Sequence, residues 1–281
     1  MPHPPSALDK PGQNLRRRWS PVLLLAMPGL LLLLLPLLAV IPMSFTAGQV
    51  VEFPPERWGL EAFRELFSDA RWGQSILFSI KVAALAVVLS VVCAALAAIG
   101  LTRVRVRGEG YITALILAPL AMPVVVLGLG TFQLFLQMQL TGTLVGIALA
   151  HAVIGVPYVF LTVRAALSRL DMALVRSAMS LGAGTWSVLR WVYLPAILPA
   201  LLSGALLAFV VSFDEVVIAL FISGPGAITL PVKMFTEIQF NLSPAIMAVS
   251  TLILAAIAAS LLLAAMVFGF RRTIYRIAVK D

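Results

Sequence analysis

The sequence predicts an all-α membrane protein with six transmembrane helices. Three observations carry that expectation. Of its 281 residues, 61% are hydrophobic and only 11% charged, and mean hydropathy is +1.05. A soluble domain has about half its residues apolar and about a quarter charged. Six long apolar stretches recur, each near the ~20 residues that a helix needs to cross a bilayer, and such stretches make helices rather than a barrel. Lysines and arginines collect in short polar segments between alternate stretches, as cytoplasmic loops do. The net charge of +8 is therefore assigned to those loops and not to nucleic-acid binding.

Residues 1–20 are proline-rich and end in Arg16-Arg17-Arg18, which predicts a flexible cytoplasmic tail. The apolar run Pro21–Phe45 exceeds a signal-peptide core of about 7–15 residues and lacks a small-residue cleavage site, so it reads as an uncleaved first span. Pro28 or Pro36 is expected to bend or interrupt it. Thr46–Gly73 is polar and of mixed charge, an external segment in which LEAFRELF forms a short amphipathic helix with Leu60, Phe63, Leu66 and Phe67 on one side.

The second span covers about Gln74–Leu101 and is closed by Arg103, Arg105 and Arg107. Cys93 within it is the only cysteine, so no internal disulfide can form, and a packing role is expected. The third covers about Tyr111–Met138. Its Pro119, Pro123, Gly128 and Gly130 predict a kinked or broken helix, tolerated where neighbours or a cavity satisfy the freed backbone groups. The fourth, Leu144–Leu167, carries His151 and Pro157-Tyr158. The fifth covers about Ala196–Ile222 and the sixth Ala245–Phe270, with a short basic tail over 271–281. The membrane-embedded body thus runs over 21–270.

With the N-terminus inside, Lys10 and the tail arginines, Arg103, Arg105 and Arg107, Arg164, Arg169, Arg176, Arg190, Arg271, Arg272, Arg276 and Lys280 all fall on the cytoplasmic side. Only Arg57, Arg64, Arg71, Lys81 and Lys233 lie elsewhere. Both termini and the segment 168–195 are thereby expected in the cytoplasm.

That segment contains DMALVRSAMSLGAGTWSVLRWVYLP. Leu170, Leu174, Ala178 and Leu181 recur at helical steps, Gly182 and Gly184 supply a turn, and Trp186, Leu189, Trp191 and Val192 resume an apolar pattern. It reads as two short helical pieces joined by that turn. Two readings fit: an amphipathic loop lying on the membrane surface, or a helix-turn-helix offered to a soluble partner. The stretch resembles the cytoplasmic EAA loop of bacterial ATP-binding-cassette importer permeases, with Ser177-Ala178, Gly182, Val192, Leu194 and Pro195 at the motif's spacing. The chain departs from the motif at its acidic position, which holds Arg176.

The resemblance runs from about Trp58 to Phe270. SFDEVVIALFISGPGAITLPVKMF, SPAIMAVST and GIALAHAVIGVPYVF resemble the spermidine/putrescine branch. It implies a type I importer bundle in a bacterial inner membrane, carrying a small and cationic solute. It further implies a heterodimer with a sister permease, two cytosolic ATPases and an external solute-binding protein. Leu174, Ser177, Ala178, Leu181, Gly182, Ala183, Leu194 and Pro195 are the implied ATPase-docking residues. ATP and its magnesium would sit on the partner ATPase, with no cofactor or metal on this chain.

The chain's own chemistry agrees on one point. A P-loop needs Gly-Lys followed by Ser or Thr, and none of the four lysines is so placed; nor is there an HExxH pair or a GxSxG elbow. With only His3 and His151, a site built on several histidines is excluded.

Asp214 and Glu215 are the acidic pair inside an apolar run. A carboxylate at membrane depth costs a few kcal/mol or more, so it faces a cavity, a partner charge or water. Either the two are a satisfied structural pair, or one of them lines a translocation path for a cation. His151 is read as a hydrogen-bonded packing residue or, alternatively, a path residue. Lys233 and Glu237, four apart, are expected as an ion pair on an exposed helical turn. A secondary transporter or channel without ATPases is the alternative function, since broken helices and a buried carboxylate pair would suit it.

Overall fold

The computed structural model describes residues 13–48, 52–103, 107–240 and 243–278. Its helices are α1 (Gln13–Met43), α2 (Glu61–Ser68), α3 (Ala70–Arg103), α4 (Glu109–Ala121), α5 (Val124–Gln137), α6 (Leu144–Leu167), α7 (Met172–Ser180), α8 (Thr185–Val188), α9 (Leu194–Asp214), α10 (Val217–Ile222), α11 (Leu230–Phe240) and α12 (Ala245–Ala278), with a π-helical turn Leu189–Tyr193 joining α8 to α9. Among the described residues there are no strands, only isolated bridges.

Four helical stretches are long and apolar enough to cross a membrane: Ala26–Met43, Ala70–Arg103, Leu144–Leu167 and Thr185–Asp214. α4 and α5 together qualify as a span broken by a 105° bend. Among the described residues α12 adds a shorter apolar segment, Ala245–Ser260. Of the six expected spans, five thus have a counterpart here, four long helices and one broken pair.

The chain divides into two compact units, one of α1, α2 and α12, the other running from Asp69 to Asn241. In the first unit, α1 is apolar on every side from Ala26 to Met43, with Leu31, Leu32, Leu33 and Leu35 exposed, as a membrane-facing helix is. It is one helix element, uninterrupted at Pro28 or Pro36, and it begins at Gln13. Residues 13–20 are therefore helical; residues 1–12 lie outside the described ones. Likewise α12 continues through Ala278, so most of the expected C-terminal tail is helix. α2 buries Ala62 and Leu66, while Phe67 and Leu60 are exposed. Phe63 instead meets Phe45, ring centroids 5.2 Å apart.

In the second unit α3, α6 and α9 form the central bundle. At 34 residues, α3 is about 51 Å long at 1.5 Å per residue, well beyond the ~30 Å hydrocarbon core. Its buried stripe is small: Ala83, Ala86, Ser90, Ala94 and Ala98. Without a hydrophobic force between helices in lipid, close backbone approach supplies the packing. Gly204 marks a close approach, since a Cβ there would lie 2.5 Å from Thr162 Oγ1 and 2.9 Å from Val159 Cα. Ser90 spans the same layer, its hydroxyl donating to the Ala152 carbonyl at 3.2 Å. Cys93 is exposed on α3, so the packing role expected for it is not found.

Pro123 accounts for the break between α4 and α5. It cannot donate to the helix, and it forces Met122 into extended geometry (φ −86°, ψ 138°). The fifth expected span is broken too. α9 stops at Asp214, Glu215 is extended (φ −72°, ψ 115°), and α10 restarts at Val217. α5 and α10, the second halves of two interrupted helices, pack on one another. The loops beyond them join where the Gly142 N–H donates to the Ile222 carbonyl at 2.8 Å.

Candidate functional site

The segment 171–195 folds into the helix-turn-helix its spacing predicts, and its geometry is locally determined. Asp171 caps α7 by accepting the Ala173 N–H at 2.8 Å. The other end closes as a Schellman motif: Ala183 N–H donates to Ala178 O at 3.0 Å and Gly182 N–H to Met179 O at 3.0 Å. Gly182 takes φ +85° to do so, and no atom lies within 4 Å of where its Cβ would be. Glycine is therefore favoured by the backbone alone.

One side of this element is anchored. Val175, Val188 and Tyr193 are buried in a continuous core with Ala94, Ala98 and Leu101 of α3, Val159, Phe160, Val163 and Leu167 of α6, and Ile197 and Leu201 of α9. A fully buried valine such as Val188 contributes about 1.5–3 kcal/mol when it leaves water. Arg103 lies over the Tyr193 ring at 5.9 Å. The other side is bare. Leu181 is 89% exposed and Trp186 71%, with Leu174, Ser177, Gly182, Leu194 and Pro195 also exposed and Ala178 and Ala183 half-buried. The face expected from helical periodicity is thus split. Leu170 and Ala178 lean on the core, whereas Leu174 and Leu181 point away from it. Periodicity missed Val175, the side chain that anchors α7. Beside the element, an open groove of ≈ 570 Å³ is lined by Thr162, Ala165 and Arg169 from the end of α6 and its connection, and by Ala196, Pro199 and Ser203 of α9. At the same end, Arg164 pairs with Glu109 in the first turn of α4.

The second location is the α9–α10 break. Among the described residues, neither Asp214 nor Glu215 forms an ion pair with a basic side chain. Glu215 is half-buried and accepts the Ile218 N–H at 2.9 Å, capping α10. Asp214 is exposed, at the last residue of α9. A carboxylate there adds to the negative end of the helix dipole, an unfavourable combination unless water or a cation compensates it. His151 lies behind the break, 1% exposed, its Nδ1 2.9 Å from Ser212 Oγ, while its Nε2 has no protein partner among the described residues.

Lys233 and Glu237 are paired as expected, Nζ to Oε1 3.2 Å, but not on an exposed turn. Lys233 is buried, since its Nζ also approaches Asp69 (3.6 Å) and lies 4.5 Å from the centroid of the Trp72 ring. Spacing along one helix reveals the i,i+4 pair and not the residues of α3 that cover it.

A bundle of apolar helices with two interrupted spans, carrying a self-capped, exposed helix-turn-helix at one end, is the architecture of a membrane permease. The chain belongs to the family of binding-protein-dependent transport system inner membrane components, whose profile matches residues 86–275. It is similar to the putrescine transport system permease protein PotI of Escherichia coli K12, 35% identical over 249 residues covering 86% of this chain and 88% of that protein. The spermidine/putrescine transport system permease protein PotC of Haemophilus influenzae is 29% identical over 209 residues, covering 72% and 81%. The putative 2-aminoethylphosphonate transport system permease protein PhnV of Salmonella typhimurium is 32% identical over 201 residues, covering 71% and 76%. Among solved structures, a bacterial ABC transporter involved in importing the acidic polysaccharide alginate has the same fold, with a TM-score of 0.69 at 18% identity over 92% of this chain and 98% of that one. The protein is an inner-membrane permease subunit of an ABC-type importer, and the secondary-transporter alternative falls with that membership.

Proposed function

We propose that this permease forms half of the translocation path for a small polyamine, putrescine or spermidine, and that it is driven by a cytosolic ATPase docked on residues 174–195. The observation that carries the substrate reading is Asp214, a carboxylate at the exposed C-terminal end of a broken helix. Helix C-termini and carboxylates both favour cations, and interrupted helices supply such ends in transporters. The names of the PotI and PotC relatives support the same class of solute. PhnV, whose named solute carries a phosphonate beside its amine, shares the amine alone with them.

In this reading Asp214 meets the solute's ammonium, Glu215 holds the start of α10, and His151 steadies α9 behind them through Ser212. Leu174, Ser177, Leu181, Gly182, Leu194 and Pro195 present the docking surface, with Ala178 and Ala183 at its edge. ATP and magnesium are bound and used by the partner ATPase, and this chain has no enzymatic step of its own. A sister permease completes the path, a binding protein delivers solute from outside, and both termini face the cytoplasm. Movement of the docked ATPase reaches the spans because Val175, Val188 and Tyr193 bury α7 and α8 in the core of α3, α6 and α9. Coupling requires such a rigid element with two arrangements.

The test is uptake of radiolabelled putrescine by cells without other polyamine importers, expressing this chain with its neighbouring transport genes. ATP-dependent uptake competed by spermidine and not by 2-aminoethylphosphonate is expected; competition in the reverse order overturns the polyamine assignment.

A further inference from the structure

The ammonium of Lys233 sits in a three-sided enclosure. Trp72, among the largest fully buried side chains of the protein, presents its ring at 4.5 Å; the carboxylates of Glu237 and Asp69 lie at 3.2 and 3.6 Å. Asp69 is itself held in place by Arg71, whose Nε donates to both of its oxygens at 2.9 and 3.1 Å. The backbone is fixed as well: the Leu230 N–H at the start of α11 donates to Ser79 Oγ of α3 at 2.7 Å. An aromatic face and two carboxylates around one ammonium is the chemistry that recognises any alkylammonium, tethered or free. A buried ion pair is often no more stabilising than apolar side chains of the same volume, so stability alone gives little reason to place a lysine there.

We propose that the Trp72–Asp69–Glu237 enclosure is an amine-recognition site which the protein fills with its own Lys233 when no solute is present. This rests on the polyamine reading above and adds a second solute contact, distinct from Asp214, on the side of the membrane opposite the docking element. A primary ammonium of the arriving solute takes the place of Nζ over Trp72, and Lys233 swings out. Displacement is an exchange of one cation for another, so the enclosure is never left with bare carboxylates. The tethered lysine competes at an effective concentration in the millimolar range or above. It therefore keeps the site weak, which suits a transporter that must release what it binds.

The experiment uses the full-length protein, purified in mild detergent with the subunits that accompany it, and putrescine as the probe. Binding is followed by tryptophan fluorescence in wild type, K233M, and K233M/W72F, with n-butylammonium and n-butanol as charged and uncharged controls. The expected result is half-saturation by putrescine and n-butylammonium at concentrations at least tenfold lower in K233M than in wild type. n-Butanol is expected to have no effect, and the response should disappear in K233M/W72F. Should K233M not elute as a single species, K233Q is read in the same way. Equal responses in wild type and in the lysine variant, or a response that survives W72F, overturn the proposal. Wild-type putrescine uptake is measured in parallel. Import without tighter binding by K233M defeats this inference alone, and tighter binding without import defeats the import reading while leaving an amine site.

Discussion

Replacing Gly182 separates backbone geometry from surface contact in the docking element. At φ +85°, with no atom within 4 Å of the missing Cβ, an added methyl meets nothing, so its whole cost is conformational. A non-glycine residue in left-handed geometry costs about 1–2 kcal/mol. The Schellman bonds from Ala183 and Gly182 to Ala178 and Met179 hold only with that geometry, so Gly182→Ala unlocks the end of α7. If the docked form needs the closed turn, 1–2 kcal/mol lowers the competent fraction, and with it ATPase affinity, by up to about 5–30-fold. Gly182→Asn should recover most of the loss, because asparagine enters the left-handed region more readily and is found at helix C-termini. The assay is titration of the purified ATPase against detergent-solubilised permease variants. Equal affinity for glycine, alanine and asparagine forms would refute the reasoning. Asparagine weaker than alanine would also refute it, by showing that volume at a contact matters and not the backbone.

Other substitutions probe the bundle and the path. Gly204→Ala drives a methyl to within 2.5 Å of Thr162 and 2.9 Å of the Val159 backbone, and should lower stability by about 1–3 kcal/mol. Gly130→Ala, with no atom within 4 Å, serves as the control, and equal melting temperatures for the two variants would contradict the packing account. Asp214→Asn should reduce putrescine uptake at least tenfold while leaving assembly with the ATPase unchanged; undiminished uptake removes Asp214 from the path. Asp69 should give a pH signature. Hydrogen bonds from Arg71 hold its carboxyl below the ordinary 3.8, so its stabilisation is complete above 3.8 and fades as pH falls through the lower folded value. The melting-temperature gap between wild type and Asp69→Asn should therefore be constant at neutral pH and close only below 3.8.

Much of this molecule is legible in its residues. α6 begins and ends where its apolar run does, because Thr143 caps it and polar residues follow it. The α4–α5 break follows from Pro123, and the docking turn from Gly182. The α9–α10 break was not legible, since neither proline nor glycine occupies 215–216 and the apolar run continues to Ile222. The seat of α10 against α5 stabilises that interruption, and Glu215, read as a charge at membrane depth, works there as a helix cap. Helical periodicity grouped Leu174 with Ala178 but does not say which side a neighbouring helix covers. Val175 became the anchor because the ends of α3, α6 and α9 meet there. Lys233 shows the same limit: the pairing four residues apart is local, whereas its burial depends on Trp72 and Asp69, more than 150 positions away in sequence.

The central claim, that this chain is the membrane half of an ATPase-driven importer coupled through residues 174–195, is tested most directly by affinity purification from native membranes in mild detergent, with mass spectrometry of the co-purifying chains. A P-loop ATPase and a second permease are expected with wild type. In Ala178→Trp, whose indole projects from the edge of the docking face, the ATPase should be lost while the second permease is retained. The chain recovered alone from a preparation that still transports, or an ATPase retained in full by Ala178→Trp, would contradict the account.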